Sequence, residues 1–456
     1  MEIEAKDDKV RKLIHSIESQ ERNFDAYRDM ARKVVAKLSL ELERAKQKEE
    51  FEELIVRERR IGFLRNTMMP KSFDDWVDGV ELQRLKEERR KVQQELDEMR
   101  DERKSVRYRR SMQPDEESRG KPKPLGASLA KRLEDLDKEI AKLNAEKFEI
   151  VYKQKRYIEN QECQMSVAKP EQGISPWPII GKYQFLSMIG KGGFSEVYKA
   201  FDLEEFKQVV CKVHQMNPKW EESTRENFLK HTNRENDVYK SLKHPNIVTY
   251  FDTLEIDRLS FATVLEFCEG PDLDFLIKRN GTIPEKEARV YLKQILLALK
   301  YLSDQTPKVI HYDIKPQNIL FTKSNVLKLT DFGLCKVYDT EESQMELTSQ
   351  GSGTYWYLPP EVFETINGAP LISTKVDIWS TGVVFYQMLY GRKPFGHNMS
   401  QDRIHKEKII LRSTAVVFPD RPNVSLESKE LIRRMLVRDQ TTRIDAQTAI
   451  AMLDRV

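Results

Sequence analysis

An α+β protein, with a small β-rich lobe joined to a larger helical lobe and long helices ahead of both, is what the sequence predicts. Two observations carry the prediction. Hydrophobic residues recur at steps of three and four as far as about Gln161, then alternate at steps of two from Tyr183, so the helical period gives way to the strand period at one place. Beyond that place a glycine-rich turn, an apolar strand ending in lysine and two loops bearing aspartate follow in a fixed order. Charged residues are 33% of the chain and hydrophobic ones 39%, too charged for one compact globule and suited to long solvated helices.

With 456 residues the chain has room for about three domains at roughly 150 residues each. Acidic and basic residues interleave to a net charge of only +3, so no strong field for nucleic acid or membrane follows, and neither partner is expected. The four cysteines, Cys163, Cys211, Cys268 and Cys335, lack metal-ligand spacing, and no apolar run is long enough to span a membrane. An intracellular, reduced chain is expected.

Residues 1–64 contain no proline and no glycine before Gly62, which permits one long helix. Val10, Ile14, Ile17, Glu21, Phe24, Arg28, Ala31, Val35, Leu38, Leu42 and Ala45 form a heptad stripe with two polar lapses. Residues 65–79 read as an ordered break, rich in turn residues around Phe73, Trp76 and Val77. A second helix covers 80–112, with Leu82, Leu85, Val92, Leu96 and Met99 on one face and Arg89 interrupting it. A polar linker, 113–128, precedes a third helix over 129–164, with Ser128 as N-cap and Leu129, Leu133, Leu136, Ile140, Leu143 and Ile150 in heptad register. These stripes must pair, either in cis as a hairpin or in trans as a self-associating coiled coil, and self-association to a dimer or higher is the expectation. The basic cluster Lys104, Arg107, Arg109 and Arg110 reads as a solvated helix face.

After a second linker, 165–181, the region 182–456 opens with strand, turn, strand. Ile189, Gly190, Gly192, Gly193 and Val197 fit a G-x-G-x-x-G-x-V turn with Ser195 in the third glycine slot; the glycines supply permissive dihedrals and let backbone approach phosphates, and Val197 covers an adenine ring. Val209, Val210, Cys211 and Lys212 take the V-A-I-K slot, with Cys211 lining the nucleotide and Lys212 meeting its α and β phosphates. An ammonium in an apolar strand needs an anionic partner. Glu235, ahead of the turn His244-Pro245-Asn246, is chosen from several carboxylates. Leu265, Glu266 and Cys268 resemble the gatekeeper and adenine-facing backbone of a hinge between lobes, an N-lobe over about 182–265 and a C-lobe over about 271–456.

His311 to Asn318 fit the protein-kinase catalytic loop H-R-D-x-K-x-x-N, with Tyr312 in the Arg slot. Phosphoryl transfer needs a carboxylate at the incoming hydroxyl and cations over the phosphate oxygens. Asp313 is that carboxylate, Lys315 reaches the transferring phosphate, and Asn318 with Asp331 of Asp331-Phe332-Gly333 offers oxygen to magnesium. Tyr312 carries no charge, so a phosphate on Thr340, Ser343, Thr348 or Ser349 would find no bidentate partner there. Thr354 is expected to bond to Asp313 and Lys315, and Glu361 to pair with Arg443.

With these motifs residues 182–456 look like a two-lobed protein-kinase domain, and FSEVYKAFDL, DLDF, HYDIKP, ELTSQ, GTYWYLPPE and GRKPFGHN within it resemble the Tousled-like kinases. The resemblance is close in the kinase half and loose in the helical half. It implies a nuclear serine/threonine kinase using ATP and Mg2+, oligomerised through its coiled coils, and phosphorylating the anti-silencing histone chaperone in chromatin assembly. It also implies residues beyond both ends, since Val456 falls inside what should be a last helix. The competing reading is a coiled-coil scaffold carrying an inactive kinase fold; Lys212, Asp313, Asn318 and Asp331 together argue against it.

Overall fold

The computed structural model describes residues 2–64, 76–112, 125–167, 177–192, 195–217, 219–338, 344–347, 353–364, 369–413 and 415–455. Helix α1 (Glu2–Ile61) ends at strand β1 (Gly62–Leu64), which pairs antiparallel with β2 (Trp76–Asp78) before α2 (Val80–Met112) returns. Gly62 has φ +136°, and a Cβ there would lie 2.2 Å from the Val77 carbonyl oxygen, so the corner requires glycine. The Gly79 amide donates to the Ile61 carbonyl at 2.8 Å, closing the corner between the two helices.

Helix α3 (Leu125–Val167) starts ahead of Ser128, which therefore lies inside the helix and is not its cap. Its apolar stripe is used in cis. Leu136, Leu143 and Ile150 are buried with Leu54 and Ile61 of α1 and Leu82 and Leu85 of α2. Arg89, which interrupts the α2 stripe, pairs with Asp137 of α3, and Arg132 of α3 pairs with Glu88. The hairpin alternative thus holds for the α3 seam, because α2 folds back to cover it.

For α1 the outcome differs. Phe24, Leu38 and Leu42 of the expected seam are 69%, 57% and 55% exposed, while Ala36, Leu40 and Glu43, on the other side of the helix, are buried. The side chains of Val10, Ile14, Ile17 and Glu21 lie outside the described residues.

The smaller lobe is a six-stranded antiparallel sheet formed by β3 (Ile179–Ile180), β4 (Tyr183–Lys191), β5 (Ser195–Asp202), β6 (Lys207–Gln215), β7 (Tyr250–Asp257) and β8 (Ser260–Glu266), in the order β3-β4-β5-β6-β8-β7. Helix α4 (Glu222–Ser241) lies between β6 and β7 in the chain. Six consecutive residues of β4, Tyr183 to Met188, are buried. A sheet with one wet face would alternate, so both faces of this strand are covered.

The larger lobe is helical. Helix α5 (Leu273–Asn280) is capped by Asp272, whose carboxylate accepts the Phe275 amide, and α6 (Glu285–Ser303) follows it. Short strand pairs then frame the loops: β9 (Lys308–Ile310), β10 (Ile319–Phe321), β11 (Leu327–Leu329), β12 (Lys336–Tyr338), β13 (Met345–Glu346) and β14 (Leu371–Ile372). In these, β9 pairs with β12, β10 with β11, and β13 with β14. Helix α7 (Lys375–Tyr390) is buried along nearly its whole length and packs in one apolar core with α6, α10 (Leu426–Met435) and α11 (Ala446–Leu453), after the short α8 (Gln401–Lys406) and α9 (Ile409–Arg412). That core underlies the site.

Candidate active site

Lys212, on β6, projects from the sheet toward α4. Its Nζ lies 2.8 Å from Glu235 Oε1 and 2.9 Å from Asp331 Oδ1. Burial opposes its charge, but Asp331 and Glu235 outweigh burial and hold the ammonium well above the ordinary lysine range. Burial likewise works against the Asp331 carboxylate, and Lys212 overrides it, so Asp331 stays below the usual carboxylate range. The three groups form one ionic cluster joining the sheet, α4 and the loop after β11, with Lys212 and Glu235 covered and the Asp331 carboxylate partly open to solvent.

Strand alternation decides what else faces this cluster. Val209, Cys211 and Val213 point to the opposite side, into a core with Tyr183, Phe185 and Tyr198. Cys211 is fully buried there, on the face away from Lys212, so it does not line the nucleotide site; the same burial pushes its thiol up to about 12. Val210, which shares the Lys212 face and packs toward Leu265, takes that place. Period two was the signal that could have assigned it. Tyr239, four residues after Glu235 and hence on the same face of α4, was also missed. Its hydroxyl accepts the Asp331 amide at 2.7 Å and its ring packs on Phe332 at 4.8 Å.

At the glycine-rich turn, Gly190 pairs with Val197, and the Gly192 amide donates to the Ser195 carbonyl at 2.7 Å. Neither glycine has a left-handed φ, contrary to the expectation of special dihedrals: Gly190 lies in the β4–β5 ladder, where extended backbone suits any residue, and glycine serves there by leaving the surface bare. Gly193 lies outside the described residues. Ile189 and Val197 are half-buried, one on each strand of the turn.

Leu265 is buried on β8 opposite Val210. The Glu266 side chain accepts from Thr249 and from Lys328 Nζ at 2.7 Å, and its amide donates to the Thr249 carbonyl at 2.9 Å, so neither its carboxylate nor its N–H is open to a ligand. Burial and the neighbouring Glu266 push the Cys268 thiol up to about 12, which disfavours the thiolate.

The catalytic loop is held from below and behind. Asp377, at the start of α7, accepts the amides of His311 and Tyr312 at 2.7 and 2.9 Å, and burial pushes its carboxyl up to about 6. His311 Nδ1 accepts the Asp313 amide, so Nε2–H donates to the Thr330 carbonyl at 3.0 Å and ties the loop to the Asp331 segment. Asp313 Oδ2 is 2.6 Å from Lys315 Nζ and accepts Asn318 Nδ2 at 3.0 Å, while Oδ1 accepts the Thr354 hydroxyl at 3.1 Å. With Nδ2 committed to Asp313, the Asn318 amide oxygen is the atom left for a cation. Asp331 and Asn318 together make a hard-oxygen donor pair suited to magnesium.

Tyr312, at φ 68°, is fully buried with Ile310, Tyr338, Leu347, Leu358 and Ile372. The slot that carries Arg in the H-R-D motif is thus filled by a buried aromatic ring, with Leu347 packed beside it next to the β13–β14 ladder and Lys336 Nζ 5.4 Å from the ring centre. Thr340, Ser343, Thr348 and Ser349 lie outside the described residues.

The protein kinase domain family matches residues 183–453. The chain belongs to the protein kinase family. It is 50% identical over 291 residues to the serine/threonine-protein kinase TOUSLED of Arabidopsis thaliana, covering 62% of this chain and 42% of that one. Over 273 residues it is 52% identical to the serine/threonine-protein kinase tousled-like 2 of Homo sapiens, covering 58% and 35%. With the human serine/threonine-protein kinase tousled-like 1 it shares 37% identity over 478 residues, 95% of this chain and 62% of the relative. The chain spans less than two thirds of the length of each of these relatives. The ionic cluster at Lys212 and the Asp313 loop both lie within residues 183–453.

Proposed function

We propose that the chain is an ATP-dependent serine/threonine protein kinase that works as a self-associated nuclear enzyme on a histone chaperone in chromatin assembly. The observation that carries the catalytic part is Asp313, held between Lys315, Asn318 and Thr354. In the transfer, the acceptor hydroxyl oxygen forms its bond to the γ-phosphorus as the bond to ADP breaks, and the hydroxyl proton passes to Asp313. Lys315 offers charge to the transferring phosphate, and Lys212, kept charged by Glu235 and Asp331, meets the α and β phosphates. Magnesium, held by Asp331 and Asn318, would neutralise phosphate charge. The Thr354 bond to Asp313 supports the serine/threonine preference implied by the family resemblance. The chaperone substrate and the nuclear setting rest on that resemblance alone.

The purified chain with Mg·ATP should label the anti-silencing histone chaperone on serine or threonine only, read by phosphoamino-acid analysis. Label on tyrosine, or none on the chaperone while a generic serine peptide is labelled, rejects the corresponding part.

Self-association is supported by α1. Phe24, Tyr27, Val34, Leu38 and Leu42 are exposed along one side of that helix, a stripe about 27 Å long at 1.5 Å per residue that a second copy would cover. Leu38→Glu with Leu42→Glu should convert the oligomer to monomer in size-exclusion light scattering. An unchanged mass would show that α1 is not the contact.

A further inference from the structure

We propose that α1 and α3 brace the nucleotide site from outside the kinase domain, with Glu43 and Asn160 as positioning residues for the glycine-rich turn. The inference rests on the kinase reading above and adds to it a part of the chain that the kinase family match does not cover.

Strand β3 pairs with Tyr183 and Gln184, and among the described residues the outer edge of β4 beyond them has no strand neighbour. Helix α3 covers it. Asn160 Oδ1 accepts the Met188 amide at 3.1 Å, and Asn160 Nδ2 donates to Gln47 of α1 at 3.3 Å, which uses both ends of an amide that is only 4% exposed. One residue earlier, the Ser187 hydroxyl donates to Glu43 Oε1 at 2.9 Å. Glu43 Oε2 pairs with Lys199 Nζ at 2.8 Å, and that ammonium also lies 5.2 Å from the ring centre of Phe267, between Glu266 and Cys268 in the hinge. Leu40, a turn before Glu43, is buried in the sheet's outer core with Trp177 and Tyr198. These contacts fall at Ser187 and Met188, directly ahead of Gly190 and Gly192.

The same α3 helix grips the larger lobe. Phe148 and Tyr152 pack on Phe275 of α5 with ring centres 5.5 and 4.9 Å apart. From Phe148 to Asn160 the helix is unbroken, contains no glycine or proline, and spans about 18 Å at 1.5 Å per residue. Stacking of Phe51 on Tyr157 at 4.5 Å locks α1 to it. A stiff rod fixed to both lobes resists rotation of one lobe about the hinge, because that rotation must break either the Met188 contact or the Phe275 stack. The brace therefore holds the turn at the height above the larger lobe that the phosphates require. Coupling between separate sites amounts to about 5- to 150-fold in affinity, and a tenfold effect is expected here.

The test uses the full chain, with Glu43→Gln, Glu43→Ala and Asn160→Ala, and the charge swap Glu43→Lys with Lys199→Glu. Affinity for a non-hydrolysable ATP analogue with magnesium is measured by calorimetry, beside KM for ATP, KM for peptide and kcat. The brace predicts about tenfold weaker analogue binding in the alanine variants, with KM for ATP rising in step. It also predicts kcat within about threefold, an unchanged peptide KM, and recovery of most of the affinity in the swap. Glu43→Gln, which keeps the shape and the Ser187 bond, provides a milder probe should the alanine variants not fold. Analogue affinity within twofold of wild type in folded Glu43→Gln and Asn160→Ala, or a fall in kcat and melting temperature without a KM shift, overturns the brace. Wild-type chain that binds no nucleotide overturns the kinase reading, and the brace with it.

Discussion

Asp313→Asn is expected to lower turnover by about a hundredfold or more while leaving ATP affinity close to wild type. The substitution keeps volume and one acceptor oxygen, so the Thr354 and Asn318 contacts can largely persist, but it removes the proton acceptor and the charge that Lys315 pairs with. The acceptor hydroxyl would then have to shed its proton to water as its oxygen bonds phosphorus. Since Asp313 does not join the cluster formed by Lys212, Glu235 and Asp331, nucleotide binding should be spared. Initial rates and analogue binding measured on the same preparation separate the two effects. More than about a tenth of wild-type turnover in the variant would remove Asp313 from the reaction.

Arg443→Ala should destabilise the larger lobe by about 3 to 5 kcal/mol, because the buried Glu361 carboxylate would lose its countercharge. Arg443 is 1% exposed; Nη1 and Nη2 meet Glu361 at 2.7 and 2.9 Å, and its other donors reach the carbonyls of Val437, Lys375 and Arg438. Its guanidinium also lies 5.1 Å from the ring centre of Trp379 on α7. Alanine leaves three carbonyls and one carboxylate to find partners in an apolar surround. For a domain of this size the loss corresponds to a fall in Tm of roughly 10 °C. The double variant Arg443→Met with Glu361→Leu should lose less than Arg443→Ala, since it leaves no buried charge behind. Urea unfolding midpoints test both; an Arg443→Ala midpoint equal to wild type would mean that the ion pair contributes nothing net.

Much of the site was legible because its chemistry is local in the chain. Asp313, Lys315 and Asn318 are on one short loop, and the apolar strand before Asp331 announces the second. The heptad stripe of α3 was legible for the same reason, periodicity being a short-range signal, whereas of the break expected over 65–79 only 76–79 are among the described residues. Glu235 was harder: several carboxylates share its stretch, and only the packing of α4 against β6 brings this one to 2.8 Å from Lys212. At Cys211 the V-A-I-K slot and the strand's alternation point different ways, and the alternation decides: Cys211 faces the outer core, away from Lys212.

By itself, then, the sequence determined the order of lobes, the two loops that carry oxygen and charge to a phosphate, and where helix gives way to strand. Only the tertiary structure decided which surfaces those elements use. A heptad stripe states that a helix face must be covered, without stating by what: the α3 stripe is closed by α2, while α1 docks its opposite face on β4 and leaves Phe24, Leu38 and Leu42 outward. Ser187 and Met188 meet Glu43 and Asn160 across more than a hundred and across 28 residues of chain, respectively. The physical reason is that pattern and propensity are set by neighbours in sequence, whereas the choice among partners is set by the total burial and hydrogen bonding of the whole assembly of elements.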